Sequence, residues 1–314
     1  MIDFRYHIVS IVAIFFALGA GVVLGAGPLK GTASDVVQAQ ANKDRDTVEQ
    51  QREQLLQAKA LDKYRDDFFA KVTAGLTDGK LTNKRIALVM MPGAAGDMAD
   101  SIQESIERAG GQVTTRVALD SKLFDPGQRQ LVEPLVNDLV TSDISFPADS
   151  NTYQRAGMIL ARGVAAREEA KPFDADSSKI VSGLASAKLI SLKNPKDRAS
   201  LVVVVAAKPP APAPDNASYN DAVDFTEGLD AGSAGVVVAG MPESAQNGGL
   251  LKALRGDSDA TKALSSVDVA NIPSGQMTVV FALVEQAGGK AGQYGGVDAK
   301  NGVAPSADMV KGNN

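Results

Sequence analysis

From Tyr6 to Leu29 the chain reads YHIVSIVAIFFALGAGVVLGAGPL and carries no full charge. A bilayer core of ~30 Å is crossed by about 20 apolar residues in a helix. In hydrocarbon the backbone must satisfy its own hydrogen bonds, so such a run has to be helical. Residues 8–29 are expected to form a transmembrane helix behind a short segment, residues 1–7. A cleaved signal peptide is the competing reading, but its apolar region is usually only about 7–15 residues long. Pro28 would also follow a cut at the small-x-small site Gly25-Ala26-Gly27 and hinder it. The retained anchor is favoured. Arg5 precedes the run, while Lys30 and Asp35 follow it. This gives a slight bias to N-inside, with the bulk of a single-pass chain outside the cytoplasm. Ala17, Gly21 and Gly25 recur every four positions and share a face. Such small-residue faces let two membrane helices approach closely, which suggests dimerisation.

Composition narrows the rest. The chain has 314 residues, 44% hydrophobic and 22% charged, with net charge −5. Without anchor and tails, about 200 residues remain, enough for one ordinary domain or two small ones. No basic stripe is present to neutralise phosphates, so nucleic acid is not an expected partner. The absence of cysteine excludes a disulfide scaffold. Trp is absent, with five Tyr and ten Phe, which disfavours carbohydrate stacking and the aromatic girdles of a membrane barrel.

Residues 33–77 read as a helical stalk. Between Ser34 and Thr77 there is no Pro and one Gly, Gly75. A seam runs through Val37, Ala41, Asp44, Val48, Gln51 and Leu55 in alternating steps of four and three, the spacing of a coiled coil. It slips by one residue and resumes at Leu61, Tyr64, Phe68 and Val72. Asp44 and Gln51 make a poor core, so the expectation is a weak homodimer or a heterotypic coil with an envelope protein. The plainer alternative is a solvated helix whose last turns, at Tyr64, Phe68 and Val72, pack on the following domain. At 1.5 Å per residue such a helix spans ~60 Å.

Residues 84–287 alternate short apolar runs with helical stretches, the signature of an α/β fold with a largely parallel sheet, here expected to be Rossmann-like. Strands are expected at 86–91, 113–119, 200–207, 235–240 and 267–269, and helices over 97–109, 128–140, 153–169, 177–187, 217–231 and 275–287. A further helix is expected through Leu250, Leu251 and Leu254. Asp97 and Ser274 are placed as helix caps. Strand-Met-Pro occurs at Met91-Pro92 and again at Met241-Pro242, a weak internal echo. Ligands in such sheets usually bind beyond the carboxyl ends of the strands, so loops 92–97, 208–216 and 241–248 are the default pocket or partner surface. Residues 288–314, rich in Gly, Ala, Asn and Lys, are expected to be disordered.

Catalytic motifs are missing. The only histidine is His7, so neither a Ser-His-Asp nor a Cys-His set can be assembled. The turn Pro92-Gly93-Ala94-Ala95-Gly96 lacks the Lys-Ser/Thr end of a phosphate-binding loop. Asp120, Asp125, Glu168 and Glu169 read as caps and solvated faces. No enzyme activity and no cofactor are expected.

The opening MIDFRYHIVSIVAIFFALGAGVVLG resembles that of the actinobacterial copper transporter family called MctB. The resemblance continues through the coiled segment, the strand-turn at Ala87–Gly93, and Gly275-Gln276 with Ala282-Leu283-Val284-Glu285-Gln286, to Tyr294-Gly295. It implies copper homeostasis and an outer-membrane channel. Related proteins also look like membrane-bound coiled-coil factors of the envelope and division septum. The residues themselves argue against a channel: one membrane helix forms no pore alone, and no series of ~10-residue alternating strands is present. Copper calls for Cys, Met or His ligands, and the chain offers His7 and eight Met without a cluster. Met90, Met98 and Met241 are the candidate ligands, although adjacent Met90 and Met91 face opposite ways on a strand and read as core.

The leading expectation is therefore a membrane-anchored envelope scaffold that acts on cell-wall or division partners. Its contacts would run through Ala17, Gly21, Gly25, Val37, Ala41, Val48, Leu55, Leu61, Tyr64 and Phe68. Copper transport or homeostasis is the alternative, and a small-ligand sensor using the sheet-edge loops is a third reading.

Overall fold

A computed structural model describes residues 4–26, 29–168, 170–193 and 195–306. They fall into two compact units, Met1–Arg65 and Asp66–Asn314. In the first, α1 (Phe4–Ala26) is an unbroken helix. Its segment Tyr6–Gly25 is the one helix among the described residues that is long and apolar enough to cross a membrane, and none of it is buried within the protein. Phe15, Phe16 and Val23 are 70%, 78% and 70% exposed. A helix apolar all round gains nothing from water, and a bilayer is the environment that such a surface suits.

Helix α2 (Leu29–Thr77) is continuous, as the lack of Pro predicts, and Gly75 falls in its final turn. Local polar pairs support it, such as Gln40 Nε2 donating to Asp44 Oδ1 at 2.8 Å and Arg65 with Asp62 at 3.0 Å. In the second unit its last turns half-bury Val72, one of the three positions named for packing on the domain, but the buried face is otherwise made of other residues. Tyr64 and Phe68 are exposed, whereas Phe69 and Val72 are half-buried and Thr73 and Thr77 are buried. Thr73 Oγ1 donates to the Phe69 carbonyl at 2.6 Å, and Thr77 Oγ1 to the Thr73 carbonyl at 2.8 Å. Bonding back along the helix satisfies these hydroxyls where they are buried, and that of Thr73 also reaches the Met277 sulfur.

The rest of the second unit is a mixed α/β fold. Its strands are β1 (Arg85–Met90), β2 (Gln112–Leu119), β3 (Lys171–Pro172), β4 (Ile190–Lys193), β5 (Asp197–Arg198), β6 (Leu201–Val205), β7 (Val236–Ala239), β8 (Ser265–Val267) and β9 (Gln293–Tyr294). Its helices are α3 (Gly96–Arg108), α4 (Arg129–Asp138), α5 (Thr152–Val164), α6 (Ala175–Ser186), α7 (Asn220–Ala231), α8 (Leu250–Gly256), α9 (Ala260–Ala263) and α10 (Pro273–Ala287). The main sheet has the order β4-β2-β1-β6-β7-β8-β9. All its pairings are parallel except β2 with β4. β3 and β5 form a separate antiparallel pair.

Both faces of the sheet are covered, which is why its central strands are apolar throughout rather than alternating. Leu88, Val203 and Val237 pack on one side with Ile102 and Ile106 of α3 and Val279 and Leu283 of α10. Val89, Val204 and Val238 point to the other side, among Val132, Ile159, Ile180, Phe225 and Leu251 of helices α4 to α8. There α5 and α7 cross backbone to backbone: a Cβ on Gly157 would strike the Phe225 carbonyl, and one on Gly228 the Gln154 carbonyl.

Several local expectations give way. Asp97 lies inside the first turn of α3, whose N-cap is Ala95, and Ser274 lies inside α10, which starts at Pro273 with Ile272 as its cap. Edge strand β4 and the short pair β3 and β5 were not anticipated. The stretch after Gly288 is not disordered throughout, because Gln293 and Tyr294 form β9 beside β8. Residues 307–314 lie outside the described residues, as does Glu169.

Candidate functional site

The strand order turns back between β1 and β6. From β1 the chain moves outward to β2; from β6 it moves the other way through β7, β8 and β9. Loops leaving neighbouring strands at such a point diverge and open a crevice, the usual ligand position in α/β sheets. A cleft of about 210 Å³ sits there, entered by Met91 and Pro92 after β1 and by Ala207, Lys208 and Pro210 after β6. Phe124, Ala222 and Leu250 provide apolar wall, and Ser121, Ser218 and Tyr219 add hydroxyl groups.

The first two of the three loops expected to form a pocket do line this cleft. The third, 241–248, braces the second. Lys208 Nζ lies 3.0 Å from Glu243 Oε1, and the Gly248 N–H donates to Asn216 Oδ1 at 2.6 Å. Gly248 has φ +78, and a side chain there would meet Ala213 and Pro214. The hydrogen bond from Lys208 holds the Glu243 carboxyl below its usual range, while burial raises the Tyr219 hydroxyl. The cleft thus offers an apolar wall with hydroxyls and one ammonium.

Two ionic networks outside the cleft escaped the sequence reading. Arg255 and Asp268, 3% and 0% exposed, pair at 2.6 Å beneath the edge of the sheet. Arg162, Arg198, Asp143, Asp174 and Asp176 gather from α5, β5, α6 and the loops before it. For Asp174, burial opposes ionisation, but hydrogen bonds from Arg162 and from the Ser177 N–H and hydroxyl overcome it and hold the carboxyl well below its usual range. The one local hint was Asp268 in Val267-Asp268-Val269, since a charge inside an apolar strand must be paired.

The soft donors are dispersed. Met91 and Met98 are buried in clusters on opposite faces of the sheet, while Met90 is half-buried against the same cluster as Met98. Arg116 Nη2 lies 3.9 Å from the Met90 sulfur, and Thr73 Oγ1 lies 3.9 Å from that of Met277. Met241 is half-buried after β7. Among the described residues no group of three or more His, Cys, Asp and Glu is placed to hold a metal ion. The proposed contact residues lie along two helices. Ala17, Gly21 and Gly25 are exposed on α1, and Gly21 and Gly25 have open space where a Cβ would be. On α2, Ala41 is exposed, and Val37, Val48, Leu55, Leu61, Tyr64 and Phe68 are 69%, 62%, 54%, 56%, 68% and 50% exposed.

The chain thus joins an apolar helix of membrane-spanning length to a mixed α/β domain with a largely parallel sheet. The profile of the family described as "Copper transport outer membrane protein, MctB" matches residues 1–305, and the chain belongs to that family. Its relatives include proteins named "Copper transporter MctB". Those of Mycobacterium tuberculosis (strain ATCC 25618 / H37Rv) and Mycobacterium bovis (strain ATCC BAA-935 / AF2122/97) are each 27% identical over 318 residues, covering 94% of this chain and 96% of the relative. That of Mycobacterium leprae (strain TN) is 24% identical over 315 residues, with the same coverage. The helix and the family description are both consistent with a membrane location. Neither the description nor these names carries the scaffold or division role expected from the sequence; they favour the copper alternative.

Proposed function

We propose that this protein serves copper homeostasis at a cell membrane, with copper as the cargo handled rather than as a resident cofactor. The observation that carries this reading is the family match over residues 1–305, together with relatives named as copper transporters. In this reading α1 is a retained single-pass anchor, N-inside, and the α/β domain works outside the cytoplasm. The chain has no cysteine and one histidine, so thioethers are its only numerous soft donors for Cu(I). Met91 and Met98 serve the core. The proposal is therefore a supporting part in copper export rather than a pore made by this chain alone.

The test is a deletion strain grown over a copper series, with cell-associated copper measured by mass spectrometry. The expected result is copper accumulation and sensitivity, both reversed by the full chain. Normal tolerance and normal copper content would overturn the proposal.

A second reading rests on α2, whose apolar positions Val48, Leu55 and Leu61 stand exposed near coil spacing. There the protein pairs through α2, and through the small face of α1, with itself or with an envelope partner. Normal copper content combined with a shape or septation defect would favour this reading.

A further inference from the structure

A second cavity, of about 370 Å³, lies where α5 and α7 end. Its wall holds four cationic side chains, Arg162, Arg167, Lys171 and Arg198, and one carboxylate, Asp143. Arg162 is fully answered, with Asp143 at 2.5 Å, Asp174 at 3.1 Å and Asp176 at 3.4 Å. Arg198 is not. Its side chain is 8% exposed, and its nearest anion, Asp174, is 3.4 Å away. Its Nη1 donates to the Arg162 carbonyl at 3.3 Å, and its Nε has no partner.

Asp174 has little left to give. Its Oδ1 already accepts from Arg162, the Ser177 N–H and the Ser177 hydroxyl, and its Oδ2 accepts from Arg162. Of the other cations, Arg167 Nε donates to the Ala231 carbonyl at 2.5 Å, and no ion pair reaches Lys171 among the described residues. Burial lowers the affinity of Arg198 for its proton, and the charge of Arg162 lowers it further. A buried guanidinium whose Nε–H has no partner is costly, and a planar fork of N–H groups suits carboxylate and phosphate oxygens.

We propose that this cavity binds a small oxyanion, a phosphate or carboxylate group, held by Arg198 with Arg167 and Lys171 at its mouth. The anion completes the hydrogen bonding of Arg198, whose Nε the neighbouring aspartates leave unpartnered. The proposal is independent of the copper reading, and its test involves no metal.

The test is isothermal titration of the full chain in neutral detergent, with thermal melting in parallel. Inorganic phosphate, citrate and dihexanoyl phosphatidate are titrated separately, with sodium chloride at matched ionic strength as the control. The first two arms represent a free anion, and the third a lipid headgroup. Expected is saturable one-to-one binding of at least one oxyanion, weakened at least tenfold in Arg198→Gln and several-fold in the double variant Arg167→Gln/Lys171→Gln. The double variant changes side chains at the cavity mouth, so it keeps the test decisive should Arg198→Gln not fold. No response beyond chloride, or affinity unchanged in the double variant, overturns the proposal.

Discussion

Arg255 Nη1 lies 2.6 Å from Asp268 Oδ2, and both side chains are sealed from water. The pair fastens the last strand. Arg255 also donates to Ser266 Oγ at 2.9 Å, to the Tyr294 carbonyl at 2.8 Å and to the Val297 carbonyl. Asp268 accepts the Gly296 N–H at 2.7 Å and the Val297 N–H at 3.0 Å. Removing one member leaves a buried, uncompensated charge. Asp268→Ala should therefore destabilise by about 3–5 kcal/mol in denaturant unfolding. The apolar double variant Arg255→Met/Asp268→Leu should cost less than that single change, because no orphan charge remains. A double variant as unstable as Asp268→Ala would refute this account.

The crossing of α5 and α7 depends on Gly157 and Gly228 having no side chain. At each position a Cβ would overlap a carbonyl oxygen of the other helix, so relief requires moving a helix rather than a flexible side chain. Gly157→Ala and Gly228→Ala should each destabilise by at least about 2 kcal/mol, at or beyond the usual cost of overpacking. Melting temperatures at the wild-type value would show that the helices separate freely.

Asp230, on α7, has its carboxyl pushed up to about 6 by burial, against the hydrogen bond from Val236 and the charge of Arg167. The folded chain thus holds this proton more tightly than the unfolded chain does. Stability contributed by the protonated form is present at pH 4 and is lost as pH rises through about 6. Asp230→Asn keeps an acceptor and removes the titration. It should be more stable than the native chain at pH 7, by on the order of 1–3 kcal/mol, and level with it near pH 4. A difference independent of pH would refute this cause.

Met91 and Met98 fill the core on opposite faces of the sheet. Replacement of either by Leu conserves volume and should cost less than about 1.5 kcal/mol. The double variant is expected to restore copper tolerance to a deletion strain as the native chain does. Failure at normal protein levels would move the copper chemistry into the α/β domain.

Much of the fold follows from local signals. Leu201-Val202-Val203-Val204-Val205 reads as a central strand because it has no polar face, and all five are 0% exposed. The crevice was legible for a related reason: residues 92 and 208 directly follow strands expected to be parallel and apolar. Other elements gave no such signal. β4 is a four-residue edge strand entered through Lys188 at φ +58, and β9 is two residues within a glycine-rich stretch. The cations facing the second cavity were hidden for another reason. Arg162 is a polar position on an amphipathic helix, and its aspartates arrive from residues 143, 174 and 176. A local window sees solvated charges there, because the contacts that bury them are made by other segments. Likewise, the turns around Phe69, Thr73 and Thr77 carry hydroxyls that read as solvent-facing until their bonds along the helix are seen.

The position of β9 in the sequence has a consequence for how the domain is finished. Arg255 is committed to the interior well before Tyr294 and Val297, whose carbonyls it needs, are reached along the polypeptide. A chain cut short before residue 293 would have its six other main-sheet strands and a cation locked inside without those acceptors. Completion of the far end thus acts as a chemical seal: without it, a buried guanidinium lacks two of its acceptors.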